Sequence, residues 1–583
     1  MDWQSPIWYY PAQNNISNFS QNRWPSFGQW KKIIEILSAK EKALFYFLVF
    51  LFIASLFSWG FIFYTSKTKA VAATGGEYIE GMIGQPVYIN PILSQSNDVD
   101  ADIVHLVYSG LLKYDKDGKI IPDLASSYEI SDDKTAYTFH LKPGVTWHDG
   151  QPFTAADVLY TVNLISDPAY KSPLRANWQG IETEVVDDNT IVFRIKTPYA
   201  GFLHNLTFGI LPKHIWETVE KDNFHLTDLK LEPIGTGPYK YSSYIKDSKG
   251  NILSYKLIAN PSYFDGKPYI SKITFNFYID ENSALDAYNR KEVMGLSSLS
   301  SQKIAQIKNQ KSTTVHKFNI PRYFSVFINQ TKSVPLANDE VREALAYATD
   351  KKEIIQKILN GNGQPVDFPI LPGMVGYDDS LDRYSFDLEK ANKLLEDNKW
   401  SKGDDGFRSK DGVPLVINLT TTDWDELAQT ADILKSQWER AGIKVNVGAY
   451  SISDIQQNYI RPREYEALLF GQVIGADPDP YSFWHSNQKK DPGLNLSLFG
   501  DSDTDKLIEE GRIEFDSEKR AKDYIEFQKK LIKENPAIFL YSPEYIYPVN
   551  KSVQGIDTTN LILPSKRFCD VNHWYLKTKR VWK

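Results

Sequence analysis

Residues 414–447 read PLVINLTTTDWDELAQTADILKSQWERAGIKVNV, and this stretch decides the fold class. Residues 415–419 form an apolar run of strand length, after which Leu427, Ala431, Leu434 and Trp438 recur at helical spacing. Gly442 supplies a helix stop, and Ile443, Val445 and Val447 alternate as a second strand. A strand, a crossover helix and a strand in so short a span make a right-handed βαβ unit with parallel strands. An α/β lobe is therefore expected in the C-terminal half.

The neighbouring sequence extends that lobe. Asn338-Asp339 and Asp350 stand before the helical patterns 341–347 and 351–359, with Gly361 as a C-terminal stop. Further towards the N-terminus the elements mix: 135–141 and 191–195 alternate as strands, and Thr154 opens a helix. Thr154 and Asp157 form a capping-box pair, followed by Val158, Val162 and Ile165 at helical spacing. No short-period repeat or low-complexity stretch occurs between Thr74 and Lys583, which argues against solenoids and propellers. A chain of 583 residues exceeds what one core organises, so two or more lobes are expected.

Residues 43–64, ALFYFLVFLFIASLFSWGFIFY, carry no charge and are long enough as a helix to cross a ~30 Å hydrocarbon layer. Arg23, Lys31, Lys32, Lys40 and Lys42 precede this run, whereas Lys67 and Lys69 follow it. The positive-inside rule then keeps residues 1–42 cytoplasmic and puts everything after Thr65 outside. A cleaved signal competes, because Ala70-Val71-Ala72 offers an A-x-A site, but the run is longer than a usual signal core and far from Met1. Retention as a single-pass anchor in the cell membrane is the expectation. A lipid anchor on cysteine is not available, since Cys569 is the single cysteine, and the same count removes disulfides and CxxC motifs. Residues 1–29 are rich in Asn, Gln, Ser, Trp and Pro without a period, and 30–42 reads as a short amphipathic helix.

Charge and motifs then narrow the function. The formal net charge of -7 argues against a nucleic-acid partner. There is no GxSxG elbow, HExxH or Walker loop, and Gly235-Thr236-Gly237 and Gly361-Asn362-Gly363 lack the third glycine of a dinucleotide fingerprint, so both read as turns. The nine histidines are scattered; His148 and His485, each beside a tryptophan, read as satisfied structural residues rather than metal ligands. Asp132-Asp133 and Asp187-Asp188 sit in turn contexts, where capping outweighs glycosidase chemistry. No catalytic residue, metal or cofactor is expected. A high aromatic share, 14%, suits sites that grip partly apolar ligands as well as a large core.

A set of ordered fragments carries a resemblance. They are GLLKY at 110–114, PDLASSY at 122–128, TFHLKPGVTWHDG at 138–150, FTAADV at 153–158, GTGPY at 235–239, NPSYF at 260–264, VREAL at 341–345 and PAIFLY at 536–541. Together they resemble the family 5 extracellular solute-binding proteins, the oligopeptide, dipeptide and nickel receptors of ABC importers, over nearly everything after residue 76. The resemblance implies a bilobed α/β fold of the periplasmic-binding-protein kind (class II type) with an extra β-rich insert, preceded by the one transmembrane helix. The implied divisions are a cytoplasmic tail at 1–42, the helix at 43–64, a linker at 65–75, a discontinuous first lobe at 76–113, 200–317 and 545–583, an insert at 114–199, and a second lobe at 318–544. It also implies a monomer that takes a peptide or similar solute into a cleft and passes it to permease and ATPase subunits by lobe closure. A solute sensor and a cryptic extracellular hydrolase are the alternatives.

The site implied by the resemblance lies in GQVIGADPDP at 471–480, where peptide-binding relatives supply an aspartate to the ligand's α-ammonium group. Asp477 is the candidate and Asp479 the alternate, while a proline-stiffened surface turn is the competing reading. Tyr481, Phe483 and Trp484 follow directly, placed to wall the cleft or to pack beneath the loop.

Overall fold

A computed structural model describes residues 27–583, which divide into two units, residues 27–71 with 579–583 and residues 72–578. The tail composition noted at 1–26 lies outside the described residues.

In the first unit a helix at Phe27–Ile36 ends before Ser38, and a second runs over Ala39–Lys67. Segment 30–42 is therefore not one amphipathic helix. Ser38 interrupts it because its side chain accepts from the Glu41 amide while Glu41 returns a bond to the Ser38 amide at 2.8 Å, which caps a new helix there. Among the described residues, nothing buries any residue of the second helix, and it is long and apolar enough to span a bilayer. The C-terminal residues meet its end. Arg580 Nε donates to Thr68 Oγ1 at 2.8 Å and Nη2 to the Thr65 carbonyl at 2.9 Å, and Trp582 packs edge-on against Tyr64. The span 65–75, expected as a linker, finishes this helix and forms a strand at Thr68–Ala73.

The second unit is built on a 12-stranded sheet. The βαβ unit lies at one edge: Val416–Thr422 and Lys444–Tyr450 pair in parallel, joined by the helix Asp425–Arg440. Leu427, Ala431, Leu434 and Trp438 are all buried, and Gly442 takes the left-handed conformation (φ 79°) that a chain reversal needs. Beyond Val416–Thr422 come Ala467–Val473, Arg322–Ile328 and the long strand Ala537–Asn550. That strand pairs with Arg322–Ile328 through its first residues and with Thr313–Asn319 through Glu544–Asn550. The sheet then continues into Gly295–Leu296, Glu77–Ile83, Lys272–Tyr278, Ile252–Ala259 and Tyr239–Lys246.

The apolar residues of these strands fall into separate clusters. Phe318, Ile320, Tyr545 and Tyr547 belong to one core, whereas Phe324, Ile538, Leu540 and Tyr541 belong to another, so the change of core falls within a few residues along the chain. A four-stranded antiparallel sheet, Ala125–Ile130, Ala136–Leu141, Thr190–Arg194 and Glu182–Asp187, shares the first core through Tyr137, Phe139 and Phe193. The helix Ala155–Ser166 carries the Thr154–Asp157 capping box read from the sequence.

Two sequence readings gain a physical cause. A Cβ on Gly235 would sit 1.9 Å from the Val107 carbonyl oxygen, so this glycine permits close backbone approach rather than merely a turn. His148 braces the same spot, its Nδ1 accepting from the Gly235 amide at 3.2 Å and its Nε2 lying 3.0 Å from the Gly237 carbonyl. His485 is likewise engaged, 3.1 Å from Glu509.

Candidate functional site

A cavity of about 620 Å³ opens between the first lobe and the loop after Ala467–Val473, within the size range of small-ligand sites. Asp477, Asp479 and Phe483 line it on one side; Tyr114, His204 and Lys566 line it on the other.

The loop is shaped by its own side chains. Gly475 reverses the chain at φ 84°, after which Asp477 Oδ1 accepts the Asp479 amide and Asp479 Oδ1 accepts the Tyr481 amide, each at 3.0 Å. Pro478 and Pro480 have no amide to satisfy, so the loop completes its bonding without a ladder partner. A short helix, Tyr481–Trp484, then sets the aromatic residues apart. Phe483 faces the cavity. Trp484 is buried against Phe327, Phe527 and Phe539 beneath the loop, and Tyr481 stacks on His485 with ring centroids 4.3 Å apart.

Both aspartates meet guanidinium groups that no local pattern announced. Arg520, on the helix Ser517–Glu534, makes a two-pronged pair with Asp477: Nη1 to Oδ2 at 2.8 Å and Nη2 to Oδ1 at 2.6 Å. Its Nε is spent on the Gly511 carbonyl and Nη2 also reaches Tyr524 Oη, which fixes the fork. Arg512 Nε lies 3.2 Å from Asp479 Oδ2, its guanidinium held between the rings of Tyr199 and Tyr481 at 4.7 and 4.3 Å. Burial raises the Asp479 carboxyl above its usual range, against the pull of Arg512.

Across the cavity, Tyr114 Oη is 2.9 Å from His204 Nδ1, and His204 Nε2 stands 3.9 Å from Asp477 Oδ2. Burial lowers the His204 pKa, with Asp477 opposing. Asp477 thus uses three of a carboxylate's roughly four acceptor positions and keeps one on Oδ2.

Among the described residues, no three His, Cys, Asp or Glu side chains gather to hold a metal. The arrangement offers charge, hydrogen bonds and aromatic walls.

Comparison with known proteins agrees. A family profile described as "Bacterial extracellular solute-binding proteins, family 5 Middle" matches residues 119–493, well over half of the chain. The chain belongs to that family. Within family 5 it is 26% identical over 530 residues to the oligopeptide-binding protein AppA of Bacillus subtilis (strain 168), covering 88% of this chain and 93% of that one. It is 28% identical over 501 residues to the dipeptide-binding protein of Escherichia coli (strain K12), covering 81% and 90%. Among solved family 5 structures, the ABC transporter substrate-binding protein CtaP from Listeria monocytogenes superposes with a TM-score of 0.75 at 29% identity, over 86% of this chain and 99% of that one. AppA from Bacillus subtilis in complex with a nonapeptide superposes with a TM-score of 0.70 at 25% identity, over 87% and 100%.

Proposed function

We propose that this chain is a membrane-anchored peptide receptor of an ABC importer, which binds short peptides between its lobes and delivers them to a permease. The observation that carries this reading is the cavity itself, with a carboxylate wall on the second lobe whose Asp477 retains an acceptor position beside His204. Relatives named for oligopeptide and dipeptide binding support it. A ligand touching both lobes stabilises the closed arrangement by its differential affinity, and the strands that change lobe near 320 and 543 are where such a motion turns. Delivery needs no chemistry on the ligand, so the chain acts as a monomeric binding subunit and not as an enzyme.

The ligand reading is tested by mass spectrometry of small molecules released from the detergent-purified chain, followed by calorimetric titration with those found. Short peptides binding one to one are the expected result; a metal chelate, sugar or opine recovered instead, with no heat from peptides, overturns it.

Anchoring is the second half of the proposal. The unburied helix Ala39–Lys67 and the excess of Lys and Arg before it orient the folded unit outside the cell. Protease added to intact spheroplasts is expected to digest residues 72–578 and leave a membrane-bound fragment containing the helix. Digestion only after lysis would reverse the assigned orientation, and release of the intact domain without protease would mark the helix as a cleaved signal.

A further inference from the structure

The cations around the cavity are not equally committed. Arg520 and Arg512 are paired with Asp477 and Asp479, and Lys113 lies 2.6 Å from Asp265 and 3.4 Å from Asp123. Lys566 differs. It lines the cavity from the first lobe, and among the described residues no carboxylate lies within ion-pair distance of its ammonium. Its one hydrogen-bond contact is His105 Nδ1 at 3.3 Å, and its Nζ lies 5.8 Å from the centre of the Tyr114 ring.

An ammonium group has three donors, so two remain here. Burial holds His105 well below the usual imidazole range, which leaves it neutral and able to accept from Lys566. Burial also pulls Lys566 down to about 8, with Cys569 opposing, so the amine is still mostly charged at neutral pH. Leaving a half-desolvated cation unpaired is unfavourable, and an anion arriving in the cavity relieves it.

The backbone holds Lys566 firmly. It sits in the 3-10 turn Pro564–Phe568, and the next residue, Arg567, is locked inward by Glu80 and Asp102. With Arg567 fixed on the core side, Lys566 is displayed to the cavity from a rigid mount.

We propose that the first-lobe wall carries the receptor for the ligand's carboxylate group, with Lys566 as its cation. This rests on the peptide reading above and assigns polarity within it: carboxylate end to the first lobe, ammonium end to Asp477 on the second. A free peptide then bridges the lobes with a charge contact on each.

The test is calorimetric titration of the detergent-purified full chain with tri-, tetra- and penta-alanine, each as the free acid and as the C-terminal amide. Wild type is expected to bind the amide of its best peptide roughly 10- to 100-fold more weakly than the acid, the usual scale for losing a hydrogen-bonded charge. Lys566→Gln should lose a similar factor for the acid and cease to distinguish acid from amide, whereas Lys566→Arg should retain most discrimination. Equal binding of acid and amide by wild type overturns the inference without any variant. So does a Lys566→Gln protein that weakens both forms equally and still prefers the acid, since that is the signature of a purely structural lysine. If no peptide binds at all, the peptide reading itself fails and this inference falls with it.

Discussion

Replacing Asp477 with Asn is expected to weaken peptide binding by about 30-fold to several thousand-fold, with Asp479→Asn the lesser change. In a closed and largely dry cleft, a ligand ammonium that loses its carboxylate is left as a stranded charge, at a cost of about 2–5 kcal/mol, and affinity arithmetic gives the fold-change. Asp477 is favoured because its Oδ2 keeps an acceptor position beside His204, whereas Asp479 is drawn towards Arg512 and Tyr481. The bidentate bond from Arg520 adds a second consequence: Asp477→Asn also frees a buried guanidinium, so the variant's stability must be measured alongside its affinity. Peptide and N-acetylated peptide separate the two effects. Wild type should bind the acetylated form poorly, and Asp477→Asn should bind both forms equally weakly. Undiminished binding of acetylated peptide by wild type would remove the ammonium role and leave Asp477 as the partner of Arg520 alone.

The largest loss of stability is expected from Arg567→Met. Arg567 and Glu80 are fully buried and Asp102 nearly so, with Arg567 Nη2 2.5 Å from a carboxylate oxygen of each. Tyr78 and Tyr547 complete Glu80 at 2.7 and 2.9 Å, and the guanidinium lies 4.2 Å from the centre of the Phe568 ring. Two carboxylates share one cation, so its removal strands both, and breaking a buried pair costs about 3–5 kcal/mol. Arg567→Lys should fall between, since it keeps the charge without the fork.

The deficit depends on pH in a defined direction. Burial raises the Asp102 carboxyl to about 6, against the pull of Arg567. The folded state therefore takes up a proton between about pH 4 and pH 6, and the stability contributed by that proton is present at low pH and lost as pH rises through the folded value. Without Arg567 the carboxyl rises further, so the window extends upward. Urea midpoints of Arg567→Met and wild type should differ most near pH 8, with the gap narrowing but not closing near pH 5; an equal gap at both would contradict the network as described.

What the sequence revealed was what is encoded locally. The strand, helix and strand of 414–447 announce themselves because each apolar face repeats within a few residues, and Thr154 with Asp157 declares a helix start because both partners lie in one turn. The uncharged run before Tyr64 is legible for the same reason. Pairings across long separations left no such trace. Arg520 reaches Asp477 over 43 positions and Arg567 reaches Glu80 over 487, and nothing beside either arginine distinguishes it from a surface residue. Lys566 was missed likewise, since a charged residue in a short turn reads as solvated until the cavity next to it is seen. Tyr481, Phe483 and Trp484 fall between these cases. Their proximity to the loop was plain, but only the short helix decides that Phe483 turns to the cavity and Trp484 to the core.

The order of strands and core residues along the chain bears on the order of folding during synthesis. The second lobe runs unbroken from Arg322 to Tyr541 and can collapse once that stretch has emerged. The first lobe cannot: its strand Glu77–Ile83 appears early, yet its core needs Leu561, Phe568, Val571 and Trp574, and Glu80 waits for Arg567. Closing so long a loop is deferred until synthesis is nearly finished. The lobe translated first is thus expected to fold last, which keeps the leading part of the chain slack and threadable while it is passed through a translocon.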